Sequence, residues 1–500
     1  MLRSGGADLT IAGGIREFGR ATPGIVAVRD GDRSLTFAAL DERSSRLASA
    51  LLQQGLATGD RVALLCGNRL EYPEIAAGVA KAGLVLVPVN PRLTAPEVDF
   101  ILRHSGACVL ITDDALAGSV PHFPGPVICI GGSSLGPSYE TWLATAPATD
   151  PWVAVDERDP FCITYTAGTT GDPKGVLISH RSRCLTFYAT ALEWGLGPGR
   201  RTIAVAPMYH GAGFAFAYAA VYCGATVSML RSFDPQGLLD LIQRERAQSV
   251  FLVPTHAQLI RAAVEKVPEL PSLDTLYFNA AALPKVLKEW VFEAFPGAGV
   301  HELYGSTEAG VVTNLRPPDA RRKAGTVGHP WFATQVRIVG PGGQPVAAGE
   351  PGELFSRSPY LMNGYHDNPT ATAACITGDG FLTSGDIVIA DDEGFISIVD
   401  RVKDVIITGG VNVYPRDVEE VLLTHGAVAE AAVVGEPDDR WGERVVAYLV
   451  CRQPVEAAVL DAHLRARLAG YKVPKEFKVI AALPRNAAGK VLKRELRSTP

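Results

Sequence analysis

Paired cysteines, a positive-charge excess and a leader-like start are all missing from this chain of 500 residues. Its eight cysteines, at 66, 108, 129, 162, 184, 223, 375 and 451, include no Cys-x-x-Cys pair. Such scatter argues against a zinc ribbon or a disulfide framework and predicts reduced thiols in a cytoplasmic protein. Lys and Arg number 47 against 53 Asp and Glu, a net charge of −6. That balance weighs against wholesale nucleic-acid binding, which shows as a basic excess. Residues 1–14 lack the basic-then-apolar order of a signal peptide.

Charge is also missing locally. No Asp, Glu, Lys or Arg occurs over the 28 residues 203–230, a run longer than a membrane span needs. Pro207, His210, Gly211, Gly213 and Gly224 interrupt it, so the expectation is a buried strand, loop, helix and strand with no membrane span. What abounds is glycine and proline, 51 and 35 residues, about one in six where about one in eight is usual. With 47% apolar residues, this describes a folded chain of two or three domains with many short connections.

The first third alternates between periodicities. Leu40, Leu47, Leu51 and Leu52 share one face of a helix over 36–54, closed by Gly55. Strands over 61–66, 84–89 and 107–112 alternate with helices over 72–82 and 95–104, a βαβ rhythm that implies a largely parallel, helix-covered sheet. The rhythm resumes from 161 to about 304. From 327 short strands (Gln335–Val339, 352–356, 386–389, 395–399) separated by Pro-Gly-Gly and Asp-Asp-Glu-Gly turns predict a small antiparallel subdomain. The last 100 residues read as a small α+β domain: helices Pro415–Leu423 and 457–468, strands over 428–434, 444–450 and 477–480. Residues 471–500 carry eight Lys or Arg and two Glu, a basic end suited to phosphates.

The most informative string is Tyr165-Thr-Ala-Gly-Thr-Thr-Gly-Asp-Pro-Lys-Gly175. Gly168 and Gly171 let a loop close around a ligand, Thr166, Thr169 and Thr170 offer hydroxyls, and Lys174 adds a point charge, all parts for a polyphosphate cradle. It is not a Walker loop. The string resembles the signature loop of the AMP-forming acyl-CoA synthetases, the adenylate-forming superfamily, with Ala167 where Ser is usual. Four further elements occur in that family's order: Tyr304-Gly-Ser-Thr-Glu308, Thr383-Ser-Gly-Asp386, Asp400-Arg-Val-Lys-Asp404 continuing to Gly409-Gly410 and Asn412, and Pro484-Arg-Asn-Ala-Ala-Gly-Lys490. The motif style is that of aryl- and acyl-CoA ligases, and the likeness runs from about 20 to 497.

The resemblance implies an N-terminal domain of parallel βαβ sheets, 1–402, whose β subdomain is 327–402, and a mobile C-terminal lid, 403–500, hinged at Lys403. It implies ATP, Mg²⁺ and coenzyme A as cofactors and co-substrates, and a carboxylic acid as partner, with homodimerisation left open. Thr166, Gly168, Thr169, Thr170, Gly171 and Lys174 would hold phosphates. Glu308 would hold Mg²⁺, a hard ion that takes carboxylate and phosphate oxygens. Tyr304, Gly305 and Thr307 would lie along the nucleotide, and Asp386, Arg401 and Asn412 would meet ribose or phosphate. Lys490 would reach the reacting oxygens, so Lys490, Thr170, Glu308 and His210 form the implied catalytic set. Arg92, Trp441, Tyr471 and Lys475 would serve CoA, with Val473 where an Arg can stand and Lys472 as its substitute.

For the acid itself, His210 in Pro207-Met-Tyr-His-Gly-Ala-Gly-Phe214 matches a pocket-gating position, with Phe187, Gly211, Phe251, Ala280 and Ala281 as further walls. Asn279-Ala-Ala-Ala-Leu283 stands where relatives often read Gly-Gly-Ala-Pro-Leu. No cation is evident there for a second carboxylate, so the expected acid is compact and apolar, aromatic or of short to medium chain. A stand-alone loader of a carrier protein is the alternative, although the chain ends about ten residues past Lys490; a non-catalytic nucleotide-binding relative is more remote. Gly132-Ser-Ser-Leu-Gly136 satisfies the esterase pattern G-x-S-x-G, but Pro137 follows where a helix should start.

Overall fold

The computed structural model describes residues 9–166, 173–409, 411–485 and 491–497. It forms two compact units. The first runs to Ala324 and takes in Pro330–Gln335 and Ser356–Leu382; the second comprises Gly325–His329, Val336–Phe355 and the chain from Thr383.

The first unit holds two sheets. One is ordered Gly364–Tyr365, Lys174–Ser179, Pro160–Thr166, Val85–Val89, Arg61–Leu65, Ala107–Asp113, Val127–Ile130. Its strands from Pro160–Thr166 onward pair in parallel, as the alternating pattern predicts. Lys174–Ser179 instead folds back antiparallel on Pro160–Thr166, so this pair breaks the parallel order of the sheet. The other sheet runs from Gly310–Leu315 through Gly299–Ser306, Thr275–Phe278, Ser249–Leu252, Arg201–Ala204, Thr226–Met229 and Val26–Asp30 to Arg33–Thr36.

Local chemistry explains the helices. Thr36 accepts from the Ala39 amide at 3.2 Å and starts Phe37–Gln53. Thr94 and Glu97 close a capping box on Ala95–Ser105, and Gly106, at φ +62°, ends it. The uncharged run becomes Arg201–Ala204, Gly211–Tyr222 and Thr226–Met229, the two strands adjacent in one sheet and the helix buried throughout its middle. Among the described residues no helix is long and apolar enough to cross a membrane.

Leu382–Ala390 and Ile396–Arg401, which belong to the second unit from Thr383 on, pair antiparallel, beside Gly352–Arg357 and Gln335–Val339. The terminal part is a sheet in which Gly442–Cys451 lies between Val428–Asp438, antiparallel, and Glu476–Val479, parallel. Val418, Leu422, Val433, Ala447 and Leu460 fill its core.

Candidate active site

Arg201–Ala204, Ser249–Leu252, Thr275–Phe278 and Gly299–Ser306 are mutually parallel, so their carboxyl ends open on one edge, where ligands bind in open α/β sheets. From that edge emerge 207–211, 279–281 and the turn Thr307-Glu308-Ala309. Gly305 permits this turn: the hairpin register shifts between Tyr304 and Gly305, and a Cβ at Gly305 would lie 2.0 Å from the Gly310 carbonyl oxygen. Ser306 Oγ accepts from the Ala309 amide at 3.0 Å, and the Glu308 carbonyl accepts from the Met362 amide at 2.8 Å. Tyr304 is buried on the same strand, opposite Thr313.

Glu308 is held by a residue that the sequence reading does not single out. Tyr365 donates its phenol proton to Glu308 Oε1 at 3.0 Å, and Lys174 Nζ sits 5.0 Å from the centroid of its ring. Burial, with the Glu308 charge, pushes the phenol far up, so it stays a donor. Lys174 opposes Thr166 at the mouth of the hairpin. A carboxylate, a phenol and an ammonium thus gather at the open end of the hairpin formed by Pro160–Thr166 and Lys174–Ser179. Gly168, Thr169, Thr170 and Gly171 lie outside the described residues, as do Gly410 and Lys490.

His210 caps the helix Gly211–Tyr222. Burial and the nearby Arg92 charge depress it to about 4, leaving a neutral ring at pH 7. With Gly211 and Phe214 it borders a narrow cavity of about 10 Å³, completed by Leu86, Pro88, Phe161, Cys162, Thr164, Met208, Tyr209 and Arg183. A Cβ at Gly211 would stand 3.6 Å from Thr307 Oγ1 and 3.9 Å from Arg183 Nη2. The expectation of no cation here is therefore corrected: Arg183 reaches this space from the helix His180–Trp194, two residues beyond the outward-facing Arg181.

The other expected walls are placed differently. Phe187 is fully buried behind Phe214, against Tyr218 and Tyr222, and does not border this cavity. Phe251 packs into a cluster with Phe216 and Tyr277. Ala280 and Ala281 are exposed in the loop after Thr275–Phe278, and Ala280 has φ +73°. A left-handed alanine costs about 1–2 kcal/mol, more than the extra freedom glycine brings to the unfolded chain, about 0.5–1 kcal/mol. Ala280→Gly is therefore expected to raise stability by up to about 1 kcal/mol; a lowered melting temperature would count against this strain.

In the second unit Asp386 is 4% exposed and faces Arg401 across the strand pair, Arg401 Nε lying 3.1 Å from Asp386 Oδ1. Burial, with Arg401 and Arg497 nearby, lowers the Lys403 ammonium below its ordinary range. Asn412 is exposed on the short strand Val411–Val413. Trp441 is half exposed, its carbonyl accepting from the Gly409 amide at 2.8 Å with the Arg440 guanidinium over its ring. Tyr471 and Lys475 are exposed. Val473 is a core residue, and Lys472 does not replace a missing arginine freely, because its Nζ is paired with Asp417 at 2.6 Å.

The AMP-binding enzyme family model matches residues 15–366, and the AMP-binding enzyme C-terminal domain model matches 417–490. The chain belongs to this family. It is thereby a member of the adenylate-forming superfamily of acyl- and aryl-CoA ligases. It is 38% identical over 487 residues to a feruloyl-CoA synthase of an Amycolatopsis species, covering 96% of each. It is 36% identical to a fatty acid–[acyl-carrier-protein] ligase of Streptomyces coeruleorubidus, covering 93% of this chain and 91% of that one. Among solved structures, the o-succinylbenzoate CoA synthetase of Bacillus subtilis with its acyl-adenylate intermediate superposes with a TM-score of 0.88 at 30% identity, covering 98% of each chain.

As an AMP-binding enzyme the chain has no use for Ser134 as a nucleophile, and its surroundings agree. Ser134 is exposed in a loop, donates to Asp114 Oδ1 at 2.6 Å, and is followed by no helix until Tyr139. Its hydroxyl thus bonds to a carboxylate, not to the imidazole an esterase serine needs.

Proposed function

We propose that this acid–thiol ligase activates a compact carboxylic acid with ATP and transfers the acyl group to coenzyme A. A carboxylate oxygen forms a bond to the α-phosphorus as the bond to the bridging β-phosphate oxygen breaks and pyrophosphate leaves. The CoA sulfur then bonds to the acyl carbon and AMP departs. The observation that carries the reading is the gathering of Lys174, Tyr365 and Glu308 at the loop mouth, an arrangement suited to charged phosphates.

Thr166, Gly168, Thr169, Thr170, Gly171 and Lys174 bind the β- and γ-phosphates, with Tyr304, Gly305 and Thr307 along the nucleotide. Asp386 accepts from the ribose hydroxyls with Arg401 beside it, and Asn412 is assigned to the same nucleotide. Among the described residues no group of three His, Cys, Asp or Glu could hold a metal alone. A donor set of one carboxylate suits magnesium, which keeps waters and phosphate oxygens as its other ligands. Glu308 would hold that ion, which neutralises phosphate charge. Tyr365 fixes the carboxylate, and neutral His210 lines the path to the acyl group. Arg92, Trp441, Tyr471 and Lys475 are the proposed CoA contacts.

The division into a body, 1–402, and a lid, 403–500, that turns at Lys403 is supported by the separate matches over 15–366 and 417–490. Eight free cysteines favour a reducing, cytoplasmic setting. The carrier-protein ligase among the relatives favours a second reading, in which the acyl acceptor is a carrier thiol; free CoA left unacylated beside a loaded carrier protein would establish it. Glu308→Gln is expected to lower acid-dependent ATP–pyrophosphate exchange by about 10²–10³-fold and to raise the magnesium concentration needed. Exchange equal to wild type at limiting magnesium would refute the role.

A further inference from the structure

The helix His180–Trp194 buries an arginine that has no counter-ion among the described residues. Arg183 is 8% exposed, and its Nε is fully buried with no hydrogen-bond partner. Among the described residues no carboxylate pairs with it. Its electrostatic neighbours are the thiols of Cys162 and Cys184, which burial pushes up to about 11 and about 12, so both are neutral. A guanidinium does not shed its proton, and burying one uncompensated is costly. The comparison within the same unit is telling. Buried Arg69 meets Glu71 and Asp113, buried Lys81 meets Asp41 and Asp150, and buried Lys288 meets Glu302. Arg183 departs from that rule, and it does so facing the cavity beside His210.

We propose that Arg183 is a specificity-determining residue that receives a second carboxylate on the acid, so that the substrate is a short dicarboxylate. The proposal rests on the ligase reading and names the substrate class of that same site. The second carboxylate is favoured over the reacting one because a guanidinium fork ties up both oxygens of its partner, whereas the reacting oxygen must stay nucleophilic. Leu86, Pro88, Phe161 and Phe214 line the same small space with apolar surface, so Arg183 is the charged group that faces it. The neutral ring of His210 offers one N–H donor beside the fork. The present space holds about one water, and the unbranched Met208 can repack to admit the carboxylate.

The test uses the full-length enzyme and matched acids in which an isopropyl group replaces the second carboxylate. Malonate is set against 3-methylbutanoate, succinate against 4-methylpentanoate, glutarate against 5-methylhexanoate, and phthalate against 2-isopropylbenzoate. ATP–pyrophosphate exchange and thioester formation are measured for wild type, Arg183→Leu and Arg183→Gln. Expected is a kcat/KM for at least one diacid about 100-fold above its isostere. Arg183→Leu should lower that diacid about 100-fold and raise the isostere several-fold, with Arg183→Gln between. Because Arg183→Leu removes an unpaired buried charge, it should melt at or above wild type, which shows that it folds. Wild-type preference for the isostere in every pair would overturn the proposal, as would equal losses of both classes in Arg183→Leu. Exchange with none of these acids but with other monoacids overturns the proposal alone, and exchange with no acid at all overturns the ligase reading with it.

Discussion

Lys490→Ala is expected to lower acid-dependent ATP–pyrophosphate exchange by about 10²–10³-fold, the range for removing one donor aimed at developing charge, while retaining thioester formation from supplied acyl-adenylate. The first half-reaction builds negative charge on the α-phosphorus and on the oxygens around it, where catalysis is chiefly positioning and electrostatic stabilisation. A lysine reaching those oxygens acts there and nowhere in the attack of sulfur on the acyl carbon. If the lid at 403–500 turns between the two steps, the lysine is withdrawn before the second begins. The comparison therefore reads both claims together. Equal loss of the two half-reactions would contradict the turning lid, and no loss in the first would contradict the role of Lys490.

A steep loss of stability between pH 6.5 and 4 is the second large effect. Burial lowers His180 to about 3 and His210, His256 and His301 to about 4. Geometry agrees: His180 Nδ1 accepts the Ile11 amide at 3.2 Å and His256 Nδ1 accepts the Val253 amide at 3.3 Å, which a protonated nitrogen cannot do. The folded state thus binds fewer protons than the unfolded one below pH 6.5, so stability falls as pH falls and levels off only near the folded values. At pH 5 each group removes about 2 kcal/mol, together comparable to the net stability of a typical domain, about 5–15 kcal/mol.

Other groups have separate windows or the opposite sign. In Asp30, Glu71 and Asp150, burial is outweighed by Arg231, Arg33 and Arg16 respectively, which hold these carboxyls low. Their contribution is lost only as pH drops below the ordinary carboxylate range. Burial raises Glu74 and Asp400 and works in the opposite sense. Urea unfolding at pH 8, 6.5 and 5 checks the prediction, and His256→Gln should flatten the pH slope. Equal stability at pH 8 and pH 5 would contradict it.

The family was legible because its chemistry is written locally. Short strings of particular residues mark the family, and 165–175, 304–308 and 383–386 match them in order. Strand direction is not written that way. Pro160–Thr166 and Lys174–Ser179 are apolar runs like their parallel neighbours, and a run buried on both faces carries no sign of which way it points. The opening hairpin Val26–Asp30 and Arg33–Thr36 did leave a signal, Asp30-Gly31 with Gly31 at φ +60°, which marks a tight turn.

Arg183 shows a deeper limit. In His180-Arg-Ser-Arg183 the two arginines look alike, yet Arg181 pairs with Glu157 at the surface, while Arg183 turns inward and has no carboxylate partner among the described residues. Only the packing of the helix between the sheets separates them. Tyr365 was hidden for a similar reason, since its meeting with Glu308 spans 57 positions. Phe187 packs on Phe214 and Phe251 on Tyr277, contacts between residues that lie 27 and 26 positions apart and so leave no local pattern.

The most direct test of the central claim is a panel of carboxylic acids incubated with ATP, magnesium and free CoA, read by AMP release and by mass spectrometry of the thioesters. At least one compact acid should yield AMP and acyl-CoA in equal amounts, dependent on all three additions. ADP in place of AMP, or AMP released without thioester for every acid, would contradict it.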